Sequence, residues 1–290
     1  MPRDVLRLDS IDVPSLPSAI AIRKTYQRQS WVLMKVSHAA LNPGNLYFIA
    51  IIQIFTHAKP SVPEIEFSGY LVVGSIPMAL SAAEIRPLAT HIAVPAELVV
   101  KLPDCVSIRG AAGLTLNGMT ATRMARDAGV QPGHRVLING ESCGVVTMAV
   151  QVVRNIVGGL DSDEIIDYTK HDNLARELSR RFTTQQFDSV LDCVGIQMLY
   201  NASAAFLKLG KLMCNSIWPT PTWLSGAGRK WKAVHMDATR DERQELVRIV
   251  ADRKLKVVVD SVWGFKNVLG GYHILWSGRA REQIIVKIDE

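Results

Sequence analysis

From residue 107 to residue 218 the apolar positions switch back and forth between helical spacing and short β-rich runs, and glycines mark the ends of those runs. The helical stretches read IRGAAGLTLNGMTATRMARDAG, VVTMAVQVVRNI, NLARELSRRF and MLYNASAAFL. Between them stand the strand-like stretches RVLING, EIIDYT, FDSVLDCVG and KLMCNSI. Strands this apolar need cover on both faces, and the helices that separate them are there to supply it. The pattern therefore predicts an α/β domain with a doubly wound parallel sheet.

The flanks have a different rhythm. Before residue 103, WVLMKVSHAA ends at the turn Asn42-Pro43-Gly44, EFSGYLVVGSIP is a further strand-like run, and THIAVPAELVVKLP holds two more, broken at Pro95. These predict a mostly antiparallel β domain. Beyond residue 240 the order expected is a helix ERQELVRIVADRK, a strand LKVVVDSV, a helix around 265–275 and a last strand QIIVKI. Residues 1–106, with 263–290 packing back, form one expected domain, and 107–262 the other.

A length of 290 residues with 48% apolar content is ample for a buried core. The net charge of +6 is a diffuse excess, since the tightest basic clusters, Arg23-Lys24 with Arg28 and Arg229-Lys230 with Lys232, are short. Nucleic-acid binding needs a concentrated basic face, so no nucleic-acid partner is expected, while a diffuse excess suits small anionic ligands. Cys105, Cys143, Cys193 and Cys214 show no C-x-x-C spacing. That argues against a zinc knuckle or a disulfide framework and for a reducing compartment; a cytoplasmic location is expected, with the mitochondrion left open. MPRDVLRLDSID lacks the apolar segment of a signal peptide. The most apolar run, LYFIAIIQIF at 46–55, is too short to span a bilayer, so a core helix is expected there.

Residues 138–147, INGESCGVVT, join a strand to a helix through a glycine-containing turn. Backbone N–H groups at such a helix N-terminus face a pyrophosphate, and the helix dipole favours its charge. Gly140, Ser142, Cys143, Gly144 and Val145 are the candidate phosphate-binding residues.

Seven phrases, in order and over nearly the whole chain, carry a resemblance: VLMKVSHAALNPGN (32–45), THIAVPAELVVKLPD (90–104), AAGLTLNGMTA (111–121), GVQPGHRVLINGESCGVVTMAVQ (129–151), DEIIDYTKHD (163–172), FDSVLDCVG (187–195) and LKVVVDSVWGF with SGRAREQIIVKI (255–288). On these the chain resembles the medium-chain dehydrogenase/reductases, and within them the zinc-independent quinone oxidoreductase branch, which includes zeta-crystallin-like and reticulon-4-interacting-protein-like reductases. The resemblance implies an α/β fold: a Rossmann-type doubly wound parallel sheet plus an N-terminal mostly-β GroES-like domain. It implies NADPH as cofactor, with NADH the alternative, no metal, and reduction of a small apolar enone or quinone, with secondary metabolism among the possible settings. It also implies a homodimer formed by edge strands of the nucleotide domain, for which KLMCNSI and LKVVVDSV are the candidates.

Zinc-dependent relatives carry a Cys after the second strand and a His in a Gly-His-Glu phrase. The positions that match hold Asn42 with Pro43 and Ile65 with Glu66, which offer neither of the N or S ligands a catalytic zinc takes. In the zinc-free branch an Asn and a Tyr in a phrase like N-x-x-D-x-Y line the substrate site, and Asn42 and Tyr47 fall on that pattern. Two readings stand for each. Asn42 donates to the substrate oxygen, or it forms only the Asn-Pro-Gly turn; Tyr47 donates a hydrogen bond or proton, or it packs with Phe48 and Ile51. Thr120 and Gly195 match positions that border the nicotinamide, with local capping and strand termination as the alternatives.

The chain also departs from the family. Its aligned small positions in the loop are Gly140, Cys143 and Val146, so two of three carry side chains where phosphate approach and close helix packing favour none. Residues 157–163 alone separate the loop's helix from Glu164, too few for a strand-helix unit, so the sheet is expected to be shortened by one β-α unit that normally recognises the ribose. A glycine-rich turn after FSGYLV is missing as well. If EIIDYT moves inward and pairs beside RVLING, Asp167 lies where an acid binds a ribose 2′-hydroxyl, which favours NADH. On the resemblance, Tyr168 and Lys170 favour NADPH, and Asp167 as a solvated loop acid stands beside both. The expected protein is an NAD(P)H-dependent reductase with an impaired cofactor site; the alternative is a non-redox descendant that binds a ligand or a protein on the same scaffold.

Overall fold

In the computed structural model, which describes residues 12–14, 30–44, 64–77, 87–140, 144–158, 164–215, 230–234, 238–278 and 280–288, the elements follow the expected order closely. They are β1 (Trp31–Leu41), β2 (Glu66–Gly69), β3 (Val72–Ser75), β4 (His91–Pro95), β5 (Val99–Lys101), α1 (Ile108–Ala111) and α2 (Thr115–Asp127). Next come β6 (Val136–Asn139), α3 (Gly144–Val157), α4 (Leu174–Phe182), β7 (Ser189–Asp192), α5 (Gln197–Phe206), β8 (Leu212–Asn215) and β9 (Lys230–Ala233). The chain ends with α6 (Arg240–Ala251), β10 (Val259–Gly264), α7 (Val268–Trp276) and β11 (Gln283–Lys287). It divides into two units, Met1–Met119 with Met236–Glu290, and Thr120–His235.

The first unit is organised by β1, which is too long to keep one neighbour. Trp31 to Lys35 pair antiparallel with β4, while the second half pairs with β2 on one side and β11 on the other. A register shift between Val36 and His38 marks the bulge at which the strand changes partners and bends. The sheet runs β10-β11-β1-β2-β3-β5, antiparallel except for β10 with β11. Val36, Leu41, Phe67, Val94, Ile284 and Val286 fill its core. EFSGYLVVGSIP is a hairpin, turning at Tyr70 and Leu71 with Leu71 at φ 61°. The expected long helix from residue 108 is broken into α1 and α2; Ser107 caps the first by accepting from the Gly110 N–H.

In the second unit β6-β7-β8-β9 form a parallel sheet in that order. Alternate residues of each strand serve opposite faces. Val190 and Met213 pack with Leu178, Leu199 and Phe206 of α4 and α5, whereas Leu191 and Cys214 pack with Met124 and Val153 of α2 and α3. Helices thus cover both faces, as the alternation in sequence requires, and each large apolar side chain buried this way contributes about 1.5–3 kcal/mol.

Four expectations need comment. EIIDYT is not a strand: residues 164–167 are irregular, and Tyr168–Lys170 is a single 3-10 turn. Helix α4 draws the segment to itself, since Glu164 is ion-paired with Arg181 and Ile166 packs on the cluster of Leu178 and Phe182. KLMCNSI is not an edge. Its strand β8 lies between β7 and β9, because KWKA at 230–233, which sequence reading treats only as a basic cluster, forms an added strand. LKVVVDSV is a strand only from Val259 and belongs to the sheet of the first unit. The unit limits fall at 119/120 and 235/236, where the sequence rhythm places changes at 106/107 and 262/263; α6 packs on β5, and Leu246 closes on Gly118. LYFIAIIQIF lies outside the described residues.

Candidate functional site

Two groups of polar residues stand out, one in each unit. In the first, β2 and the residue pair before it turn two carboxylates inward: Glu64 is 1% exposed and Glu66 0%. Glu64 has φ 77°, the left-handed region that costs a non-glycine residue about 1–3 kcal/mol. Its hydrogen bonds offset that cost. The Tyr272 hydroxyl donates to Glu64 Oε1 at 2.6 Å, and the Asn42 N–H donates to Oε2 at 3.1 Å.

Glu66 sits against the start of α2. Its Oε2 accepts from the Leu116 N–H and its Oε1 from Asn117 Nδ2, both at 2.9 Å. Asn42 Nδ2 donates in turn to Asn117 Oδ1 at 3.5 Å, and Asn42 Oδ1 accepts from the Gly44 N–H at 2.9 Å. Asn42 therefore makes the turn that its Asn-Pro-Gly context suggests, but the turn occupies only its carbonyl oxygen. Burial pushes the Glu66 carboxyl up to about 8; the Leu116 N–H opposes this and the charge of Glu64 adds to it.

Zinc does not fit here. The positions at which zinc-dependent relatives carry Cys and His hold Asn42 and Ile65. Ile65 is buried in the apolar core, and the carboxylate oxygens of Glu64 and Glu66 point at hydrogen-bond donors. Among the described residues no group of three or more His, Cys, Asp or Glu side chains is placed to hold a metal ion.

In the second unit the C-terminal ends of β6 and β7 stop together, with Asn139 opposite Asp192. Asp192 is 0% exposed and collects four donors. Oδ1 accepts from Asn139 Nδ2 at 2.8 Å, from the Val194 N–H at 3.1 Å and from the Gly195 N–H at 3.0 Å; Oδ2 accepts from the Ile196 N–H at 2.9 Å. The carboxylate thereby fixes the turn into α5, in which Gly195 has φ 81°, a conformation suited to glycine. Gly140 ends β6, and a Cβ there would overlap the Val146 side chain. Val146, a poor residue for close packing at its position in the family pattern, is housed by the space that Gly140 leaves.

Helix α3 begins at the buried Gly144, followed by Val145, directly beyond the end of β6. A helix N-terminus at the C-terminal edge of a parallel strand is where a pyrophosphate fits, and Gly140, Gly144 and Val145 stand at this edge. Ser142, Cys143 and Tyr47 lie outside the described residues. Thr120 is buried in α2.

Asp167, Tyr168 and Lys170 form an exposed turn of their own. Asp167 Oδ1 accepts from the Thr169 N–H at 3.1 Å and its hydroxyl at 2.6 Å, and Lys170 Nζ stands 3.4 Å from Oδ2. The Thr169 hydroxyl first, then its N–H and Lys170, hold the Asp167 carboxyl below the usual carboxylate range. Among the described residues β6 has no strand on its outer side.

Sequence reading did not single out Glu64, Asn117, Tyr272 or Asp192. A signal existed for two of them: Glu64 occupies the glycine position of the Gly-His-Glu phrase, and Asp192 stands three residues before the glycine that closes FDSVLDCVG. Asn117 and Tyr272 lie in ordinary helical text.

The fold has counterparts among known proteins. Residues 160–286 match the zinc-binding dehydrogenase family model. The chain is 27% identical to the medium chain reductase pydE of Acremonium sp. over 350 positions, covering 97% of this chain and 94% of that protein. It is 28% identical to the trans-enoyl reductase pgmF of Aspergillus terreus, covering 89% of this chain and 86% of the relative. As 97% of 290 residues is about 281, about 70 of the 350 positions shared with pydE face gaps in this chain. Among solved structures, the quinone oxidoreductase from Coxiella burnetii superposes with a TM-score of 0.79 at 20% identity, covering 100% of this chain and 96% of that one. Over nearly its whole length the chain is thus similar to medium-chain and trans-enoyl reductases, and it shares the fold of a quinone oxidoreductase.

Proposed function

We propose that the chain is an NAD(P)H-dependent, zinc-independent reductase of an enone or quinone. The observation that carries this reading is the paired ending of β6 and β7, where Asp192 holds the Gly195 turn and α3 opens at Gly144 beside Gly140. Gly140, Gly144 and Val145, with Ser142 and Cys143 between them in sequence, hold the pyrophosphate; Thr120 and Gly195 border the nicotinamide. The bound nicotinamide supplies the hydride. Asn42 donates a hydrogen bond to the substrate oxygen as negative charge develops there, which in a buried site favours the transition state over the ground state. Tyr47 is the second donor and the proton source. NADPH is the preferred coenzyme, with Lys170 released from Asp167 to meet the 2′-phosphate and Tyr168 beside it. NADH is the alternative, in which Asp167 takes the ribose hydroxyl.

The enzyme works as a homodimer. Since β8 is flanked on both sides, the pairing strand is sought at β9 or β10, which end their sheets among the described residues; light scattering tests the dimer. No helix among the described residues is long and apolar enough to cross a membrane. Calorimetric titration with NADPH and with NADH, followed by coenzyme oxidation with a simple enone and a quinone, tests the reading. Absence of heat with either coenzyme at millimolar concentration removes it.

A second reading has its own support. The open outer side of β6, and an Asp167 spent on its own turn, leave little on the described adenosine side for a coenzyme to grip. A non-redox scaffold that binds an apolar ligand or a protein is silent in both titrations.

A further inference from the structure

The hydrogen bonds around Asn42 determine more than its position. A carboxamide has nearly the same shape either way round, so its partners decide which end is oxygen. The Gly44 N–H can only donate, so Asn42 Oδ1 faces it and Nδ2 faces Asn117. Asn117 must then present Oδ1 to Asn42 and Nδ2 to Glu66. Glu66 receives it on one carboxylate oxygen while the other accepts from the Leu116 N–H, a main-chain donor that cannot be turned round. With Glu66 ionised, as it is above about pH 8, each link admits one polarity. One N–H of the Asn42 carboxamide is used on Asn117, and among the described residues its second N–H has no acceptor.

We propose that Glu66 and Asn117 are positioning residues that set the polarity of Asn42, so that it turns a donor edge and not a carbonyl toward the oxygen of the substrate. This rests on the reading of Asn42 given above. Neither residue touches substrate; they act through Asn42. Glu64, which accepts from the Asn42 N–H and is held by Tyr272, anchors the main chain of the same residue.

The chain of polarities makes an unusual prediction. Glutamine in place of Glu66 has the same shape but one acceptor, which the Leu116 N–H claims. Its NH2 then faces Asn117, Asn117 must flip, and two NH2 groups confront each other at Asn42. Aspartate in place of Asn117, in the same variant, moves the carboxylate one residue along the chain of bonds. It accepts from the new glutamine on one oxygen and from Asn42 on the other, and the original polarity returns.

The test measures kcat and KM with NADPH and a simple enone at about pH 9, where Glu66 is ionised in the wild type. Four variants are compared: Asn42→Ala, Glu66→Gln, Asn117→Asp and the double variant Glu66→Gln/Asn117→Asp. The expected result is a fall in kcat of about tenfold or more for Asn42→Ala and Glu66→Gln, with KM for NADPH unchanged. Asn117→Asp alone, which sets two carboxylates side by side, also loses activity. The double variant regains most of it, which a merely structural role does not predict. If Asn42→Ala leaves kcat unchanged, the reading of Asn42 fails and the positioning role with it. If Asn42→Ala lowers kcat but Glu66→Gln does not, or the folded double variant stays as slow as Glu66→Gln, the positioning role is overturned while the reading of Asn42 survives. Should Glu66→Gln yield no folded protein, Asn117→Ala removes the relay and leaves Glu66 on Leu116; unchanged kcat there overturns the role equally.

Discussion

Replacing Glu66 by glutamine should flatten the dependence of stability on pH between about pH 6 and about pH 9. Glu66 is 0% exposed, and burial raises its carboxyl from the ordinary 4.5 to about 8. Both oxygens accept N–H bonds, which favours the charged form, yet loss of hydration outweighs them and the neighbouring Glu64 adds to the rise. Between the two values the folded protein holds a proton that the unfolded chain has released. Stability from this group is therefore present at the acid end of the window and lost as pH rises through 8. Each pH unit in the sloping range is worth ~1.4 kcal/mol, and two units separate pH 6 from pH 8, so the wild type should lose on the order of 3 kcal/mol by about pH 9. The assay is urea unfolding of wild type and Glu66→Gln at a series of pH values, reading the difference between the curves. Taking the difference cancels other groups, among them the Cys214 thiol, which burial pushes up to about 12 and which enters near the alkaline end. Curves that stay parallel within about 0.5 kcal/mol refute the claim that Glu66 is held neutral by its surroundings.

Three further outcomes follow from the geometry. Glu64→Gly relieves the left-handed backbone but strands the Tyr272 hydroxyl and the Asn42 N–H, so a net loss of about 1–3 kcal/mol is expected in urea unfolding, and a stabilised variant would contradict the bonding described. Asp192→Ala leaves four donors without their acceptor and should cost at least ~2 kcal/mol while weakening NADPH binding in calorimetry; unchanged affinity would separate the Gly195 turn from the coenzyme. Ile165 is 91% exposed, so Ile165→Ser should change stability by less than about 0.5 kcal/mol, whereas a large loss would mean that EIIDYT is a buried strand after all.

Much of this molecule was legible before any coordinates. The runs WVLMKVSHAA, RVLING, FDSVLDCVG and QIIVKI are strands β1, β6, β7 and β11, and NLARELSRRF is α4, capped by Asn173 accepting from the Arg176 N–H. Such elements follow from information held within a few residues: an apolar period, a glycine at a strand end, a capping side chain. The residues at the end of β6 and in the turn after β7 were legible for the same reason, since strand, glycine and helix are adjacent in sequence. EIIDYT misled because its composition suits a strand, while its fate depended on Arg181 and the Leu178 cluster of α4, which composition does not reveal. KWKA misled in the other direction, its lysines concealing a strand whose Lys232 pairs with Asp127 across 105 positions of chain.

The sequence by itself determined the layered α/β plan, the antiparallel β unit, the departure from zinc-ligand chemistry at Asn42 and Ile65, and the loss of a β-α unit after α3, because each is a matter of which residues stand next to which. Tertiary structure alone decided that Glu64 and Glu66 share a buried interior, that Tyr272 reaches Glu64 over 208 positions, and that Asn42 has its carbonyl on Gly44 and its amide turned to Asn117. Hydration, electrostatic neighbours and the polarity of a hydrogen bond are properties of distance in space, and no local pattern encodes them.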